Sequence, residues 1–364
     1  MDSFEFMAMG VKIGFIVLVL LHVAPVMLWV ERRGMGLIQN RLGPNRVGPL
    51  GLLQALADAV KLIFKEDRPP GHVKAFYWTL APALSVIPAF MTFAVVPFAS
   101  SIEIAGRVID FQIAKLNVGV LFIFAIASLG VYGVIVASWA SNNKYALYGG
   151  LRSASQMISY ELAMGLSVIS ILMIYSSVDL GEIARMQGET WLQLGPLTIP
   201  KWGIFLFPVG PLSFLIFLVS VFAETNRLPF DLPEGESEIV AGYHLEYGSL
   251  KFALFMMAEY VNMTTASALL ATMYFGGWQL LPGMGMVLNS LGLEGMIYEY
   301  ARIGFEVTSF GIKVALFMWL FVWVRWTLPR FRYDQLMHLG WKVLLPLSLI
   351  NVFATGLMIY YGVI

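Results

Sequence analysis

An all-α, polytopic membrane protein with about eight transmembrane helices and one amphipathic interfacial helix is the fold this sequence predicts. Of its 364 residues, 59% are hydrophobic and only 13% are charged, with a mean hydropathy of +0.76. A soluble protein carries about 25% charged residues. Apolar stretches of roughly the 20 residues that cross a bilayer recur along the whole chain. The basic residues, finally, gather in alternate connections, which is how membrane orientation is written into a sequence.

The apolar stretches lie at 6–30, 75–98, 116–139, 157–175, 202–223, 250–275, 307–325 and 343–362. The first is too long for a cleavable signal and lacks the basic start and the small-residue cleavage site. Sixteen of the 23 basic residues fall in the first, third, fifth and seventh connections. The positive-inside rule then places loops 31–74, 140–156, 224–250 and 326–342 in the cytoplasm and both termini on the outer side. Segment 277–306 is half apolar and rich in glycine, as a re-entrant or surface helix would be. An extra crossing there would send the basic 325–342 loop to the wrong side and is rejected. The chain reads as a single integral membrane domain, 1–364.

Several chemistries are excluded. There is no cysteine, so neither a thiolate metal site nor an iron–sulfur cluster is expected from this chain. His22, His72, His244 and His338 stand on different segments without ligand spacing and read as packed or interfacial residues. No phosphate-binding or dinucleotide glycine motif is present; Gly283-Met-Gly285 lacks the third glycine and a preceding strand. Net charge is zero, and nucleic acid is not an expected partner. Any redox centre belongs to another subunit.

The acids are the informative residues. Twenty-two uncharged residues, Trp202 to Ala223, are followed by Glu224, Asp231, Glu234, Glu236, Glu238 and Glu246. Acids contribute little to membrane orientation, so this cluster calls for another explanation, such as exchangeable protons. Glu161 falls early in the fourth apolar stretch and Glu259 near the middle of the sixth. A charge at the bilayer centre costs about 2.5–3.5 kcal/mol on insertion scales. Each therefore has to be protonated, paired or beside water, as an interhelical hydrogen bond or as part of a proton path. Glu259 shares its helical face with Asn262 and Ala266. Lys12 and Lys313 are weaker candidates, since both could reach an interface.

The first cytoplasmic connection opens with ERRGMGLIQNRLGPNRVGP, Glu31 to Pro49, where glycines and prolines fix turns. Arg32 and Arg33 read as a positive-inside anchor. Gln39, Asn40, Arg41, Asn45 and Arg46 sit in a Gly-Pro frame, where guanidinium forks could meet a partner's carboxylates or a polar head group. In Leu50–Glu66, Gln54, Asp58, Lys61 and Lys65 form one stripe of a helix too short to span, so it should lie in the interface plane. That helix is either a surface anchor or a gate beside which an amphipathic ligand leaves the lipid. An apolar tail would run along Leu52, Leu53, Leu56, Val60 and Ile63–Phe64.

With these residues in view, the sequence resembles the quinone-chamber membrane subunit of the proton-pumping NADH–quinone oxidoreductases, respiratory complex I. The likeness covers nearly the whole sequence and is densest at Glu31–Gly48, Ala140–Glu161, Ala223–Tyr247 and Pro329–Pro346. It departs at 177–201 and Gly276–Val307, on which no family function rests. The resemblance implies a subunit that anchors the electron-carrying arm and, with two peripheral subunits, forms a quinone chamber opening to lipid near the first helix and the amphipathic helix. Glu31, Gln39, Arg41, Asp58, Lys61 and Arg227 would line or border that chamber. Glu161, Glu224, Asp231, Glu234, Glu236, Glu238, Glu246 and, less directly, Glu259 would carry proton coupling toward antiporter-like and small membrane subunits. Quinone would be the substrate, with NADH, FMN and the iron–sulfur clusters held by partner subunits. The membrane would be a bacterial inner membrane or its equivalent. Reduction of quinone changes charge in a low-dielectric chamber, and carboxylates nearby respond to it. Moving one charge against 100 mV costs about 2.3 kcal/mol, so several coupled sites would have to share the relay. The alternative is the homologous anchor subunit of a membrane-bound hydrogenase, which uses no quinone.

Overall fold

The computed structural model describes residues 3–104, 106–194, 197–233 and 235–363. All eight apolar stretches are helical. In chain order the helices are α1 (Ser3–Ile38), α2 (Gln54–Phe64), α3 (Ala75–Thr92), α4 (Gly119–Ala140), α5 (Lys144–Tyr175), α6 (Leu180–Met186), α7 (Val209–Glu224), α8 (Glu236–Ile239), α9 (Ser249–Tyr274), α10 (Met284–Ser290), α11 (Gly295–Thr327), α12 (Tyr333–His338) and α13 (Leu345–Tyr360). A π-helical turn, Leu339–Leu344, joins α12 to α13. Among the described residues six helical segments are long and apolar enough to cross a membrane: Phe6–Ile38, Ala75–Val95, Gly119–Ala140, Lys144–Tyr175, Gly295–Thr327 and Tyr333–Tyr360. α7 is shorter, at 16 residues. α9 has 26 residues, carries Lys251 and Glu259, and is buried along most of its second half.

Several boundaries differ from those read in the sequence. α5 starts at Lys144, not near 157, because the Asn143 side chain accepts a hydrogen bond from the Tyr145 amide and caps a helix that continues beyond its apolar part. α7 starts only at Val209; Trp202–Phe205 forms a separate turn ahead of Pro208. α11 starts at Gly295 rather than 307. Its first turns look polar, but Arg302 pairs with Glu299 at 2.8 Å and Glu306 at 3.6 Å along one face, which sustains a helix outside the apolar window. Segment 277–306 thus contains the seven-residue α10 and the start of α11 and makes no further crossing.

Two antiparallel hairpins supplement the helices: β1 (Ala99–Ile104) with β2 (Arg107–Phe111), and β3 (Thr190–Leu194) with β4 (Leu197–Pro200). Both lie in even-numbered connections, opposite in topology to the basic loops. No strand is expected from the sequence, since the runs are short and their alternation is weak.

α9 is the central post. It packs on α3, α11, α1 and α2, while α5 packs on α7, α4 and α13. Close approach depends on small residues. A Cβ on Gly133 of α4 would sit 2.1 Å from the Ser85 hydroxyl of α3, and one on Gly149 of α5 only 2.7 Å from the Gly242 backbone. The main core joins Tyr160, Phe217, Phe222, Phe230, Val261, Leu270 and Phe321 from α5, α7, the following loop, α9 and α11.

Candidate functional site

The site begins where α1, α2, α9 and the end of α11 converge. They leave a cavity of ≈ 640 Å³ with walls that are mainly apolar: Leu21, Ala24, Leu28, Ala55, Leu62 and Met256 among them. Its polar residues are Glu31, Arg32, Asp58, Lys61, Arg227, Glu259, Tyr260 and Arg325. Four of the six expected chamber residues therefore come together with Glu259. Gln39 and Arg41 do not. They lie exposed in the turn after α1, with Arg41 Nε donating to Gln39 Oε1 at 2.8 Å, outside the cavity wall.

Glu31 is 6% exposed. The Tyr260 hydroxyl donates to its Oε2 at 2.6 Å, Arg325 Nη1 stands 2.5 Å from its Oε1, and Arg227 Nη1 is 3.6 Å away. Arg227, 4% exposed, also lies 3.6 Å from Glu259 and stacks 4.5 Å above the Tyr260 ring. The Tyr243 hydroxyl donates to Glu259 at 3.2 Å. Buried charges persist only when they are paired, and here acid and guanidinium alternate, with each carboxylate also accepting a tyrosine hydroxyl. Nearer the α2 end, Arg32 donates to Asp58 at 2.6 Å and Gln54 donates at 3.2 Å, with the exposed Lys61 ammonium 3.8 Å off.

α2 corrects one expectation. Leu52, Leu53, Leu56, Val60, Ile63 and Phe64 are exposed, Phe64 at 84%. They cover the outward face, where an interfacial helix meets lipid. The cavity wall is instead made by Ala55, Asp58, Ala59 and Leu62. Small residues at i and i+4 face inward and leave the space open.

Glu259 lines a second, smaller cavity of ≈ 30 Å³ together with Tyr243, Asn262 and Glu224. Glu224 and Asn262 in turn line a third of ≈ 50 Å³ with Thr92, Thr265 and Ala266. A water needs about 10–15 Å³ of such space and two to four polar partners, so both cavities can hold water. Glu161 on α5 accepts a hydrogen bond from the Ser128 hydroxyl of α4.

The loop acids spread out. Asp231 is 7% exposed and meets Arg330 at 3.0 Å. Glu238 pairs with Arg152 at 2.8 Å, and Glu246 accepts from Asn143 at 3.0 Å with His72 3.5 Å away. Glu234 lies outside the described residues, as does the side chain of Glu236. Lys313, expected near an interface, is 3% exposed and donates to the carbonyls of Gly277 at 2.9 Å and Gln279 at 2.6 Å. Among the described residues no group of three or more acids or histidines is arranged to hold a metal ion.

Sequence reasoning missed Arg325, Tyr260, Tyr243 and Ser128. Arg325 counted only toward membrane orientation and Tyr260 only as one aromatic among many. A usable signal existed, because a buried glutamate at the end of α1 requires a cation from elsewhere in the chain.

Comparison with known proteins agrees with this arrangement. The family described as NADH dehydrogenase matches residues 11–356. The chain is 47% identical over 348 residues to NADH-quinone oxidoreductase subunit 8 of Rhodothermus marinus, covering 95% of each. It is 46% identical over 333 residues to an NADH-quinone oxidoreductase subunit of Protochlamydia amoebophila, and 45% over 338 residues to one of Cytophaga hutchinsonii, covering 92% of each chain in both cases. Similarity of this extent, end to end, makes the chain a member of the NADH dehydrogenase family, as a membrane subunit of NADH-quinone oxidoreductase.

Proposed function

We propose that this membrane subunit forms the quinone chamber of its oxidoreductase together with peripheral-arm subunits, and couples quinone reduction to proton translocation. The observation that carries the reading is that Glu259 borders both the ≈ 640 Å³ cavity and the ≈ 30 Å³ cavity, which it shares with Glu224. The apolar walls suit an isoprenoid tail, and the Glu31–Arg227–Glu259 group suits a polar head. A head group that gains charge in this cavity acts first on Arg227 and its two carboxylates, because electrostatic forces are strong where water is scarce. Glu259 passes the change to Glu224, and Glu224 to Glu161. This chain's residues guide and sense the quinone. NADH, FMN and the iron–sulfur clusters belong to peripheral-arm partners, and antiporter-like and small membrane subunits take the signal onward.

Glu161→Gln and Glu224→Gln test the relay. Glutamine keeps size and hydrogen bonding and loses the titrating proton. Each variant is expected to assemble and to lower the ratio of protons moved to electrons transferred in vesicles. An unchanged ratio and rate in both variants would leave the acids a structural role only.

Orientation follows from the basic loops: 31–74, 140–156, 224–250 and 326–342 face the cytoplasm of an inner or equivalent energy-transducing membrane, with both termini outside. Val240, 55% exposed in the third of these loops, reports on it. Val240→Cys in this cysteine-free chain is expected to react with an impermeant maleimide in inverted vesicles and not in intact cells. Labelling from outside would reverse the topology.

A further inference from the structure

Gln156 of α5 touches none of the three cavities, yet it holds the turn that supplies residues to all of them. It is fully buried, at 0% exposure. Its Nε2 donates to the carbonyls of Ala223 at 2.7 Å and Phe230 at 2.9 Å, and lies 3.2 Å from Asn226 Oδ1. Ala223 lies in the last turn of α7, and its carbonyl also accepts from the Thr225 and Asn226 amides. Phe230 lies on the far side of the same turn, and Asn226 at its apex has a left-handed backbone, φ +50°. One amide therefore ties the two ends of segment 223–230 to α5. An amide nitrogen has two N–H groups, which match the two carbonyls.

That segment carries Glu224 and Arg227. Glu224 points to the small cavities and Arg227 to the large one. The far end of the turn is fixed as well: the Phe331 amide donates to the Pro229 carbonyl at 3.1 Å, and Phe230 packs between Tyr160 and Phe331 with ring centroids 5.5 and 5.3 Å away. The Arg227 backbone is tied into the same turn, its amide donating to the Phe222 carbonyl at 3.2 Å and its carbonyl accepting from the Phe230 amide at 2.8 Å, so Gln156 bears on Arg227 through its bonds to Ala223 and Phe230. Gln156 also stands on the helix that carries Glu161, five residues ahead of it.

We propose that Gln156 is a positioning residue, which sets where Arg227 stands between Glu31 and Glu259 and transmits a displacement of Arg227 to α5 and Glu161. The inference rests on the chamber reading above. A glutamine that merely filled space would affect how much complex assembles. A positioning glutamine affects how the assembled complex handles quinone.

The test uses the intact purified oxidoreductase carrying Gln156→Met, which keeps length and removes both donors. NADH–ferricyanide activity serves as the count of assembled complex. Expected is a rise of roughly fivefold or more in KM for a short-tailed ubiquinone analogue, and a lower proton-to-electron ratio, at unchanged ferricyanide activity per complex. In an Arg227→Lys background the same change should add little to KM, because both substitutions disturb one placement. If Gln156→Met fails to assemble, Gln156→Asn replaces it; its amide is one methylene too short to reach both carbonyls. Unchanged KM and proton ratio in the assembled variant overturn the proposal. Full additivity with Arg227→Lys overturns it too. A KM shift in Arg227→Lys alone removes Gln156 from the mechanism and leaves the chamber standing, whereas no shift in either variant removes the chamber reading itself.

Discussion

Arg227→Met is expected to lower quinone reduction by roughly 100-fold or more per assembled complex, equivalent to about 3 kcal/mol of added barrier, since the cation between Glu31 and Glu259 is lost from the head-group cluster. Arg227 is 4% exposed and stands 3.6 Å from both Glu31 and Glu259. Methionine retains much of the packing against Tyr260 and takes away the charge. Glu31 keeps Arg325 at 2.5 Å and the Tyr260 hydroxyl. Glu259 keeps its hydrogen bond from Tyr243 but loses that cation. The greater disturbance therefore falls on Glu259, the residue shared by the large cavity and the ≈ 30 Å³ one. Adding Glu259→Gln should restore assembly and part of the rate by removing the carboxylate left without Arg227. It should not restore the proton-to-electron ratio. NADH–ferricyanide activity should be unaffected per complex, because the peripheral arm performs it. A full quinone rate in Arg227→Met would mean that the head group never meets this cluster.

Much of this arrangement was legible in the sequence, for reasons that differ from residue to residue. The apolar stretches forecast the helices, because a bilayer leaves the backbone few alternatives. Glu161 and Glu224 could be singled out because ionisable groups in or next to long apolar runs are expensive and conspicuous, Asp58 and Lys61 because they share one stripe of a short helix, and Glu31 and Arg227 through the family resemblance. Their partners were harder to see. Arg325 lies far along the chain from Glu31, and no local pattern links the end of α11 to α1. Tyr260 and Tyr243 became identifiable only once their hydroxyls were placed beside Glu31 and Glu259.

Helix ends failed for a simpler reason. Polarity marks where the apolar region stops, whereas caps and ion pairs mark where the helix stops. Asn143 starts α5 and the Arg302 pairs sustain the beginning of α11 well outside the apolar window. The facing of α2 failed because its bulky apolar residues were taken as the wall for a tail. They face outward, while Asp58 and Lys61 of the polar stripe line the cavity with Ala55 and Ala59.

That orientation makes α2 the place to narrow the proposed chamber. Ala55 is 7% exposed and lines the ≈ 640 Å³ cavity together with Ala59, one turn further along. Opposite them stand Leu21, Ala24 and Leu28 of α1 and Ala253 and Met256 of α9. Ala55→Trp or Ala59→Trp sets an indole across this apolar space, and the Gln54–Asp58–Arg32 contacts on the same helix remain in place to hold α2. A quinone with a long isoprenoid tail must keep its tail between these walls while its head advances, whereas a short-tailed analogue needs the space only briefly. The long-tailed substrate is therefore expected to slow by roughly tenfold, equivalent to ~1.4 kcal/mol of added barrier, and the short-tailed one by less than about twofold. Leu56→Trp is the matched control: Leu56 is 60% exposed on the outward face, so a bulkier residue there meets lipid and should change neither rate. Equal slowing of long and short quinones by the inward variants would make α2 a surface anchor and nothing more. Full activity in both inward variants would move the entrance to another part of the subunit.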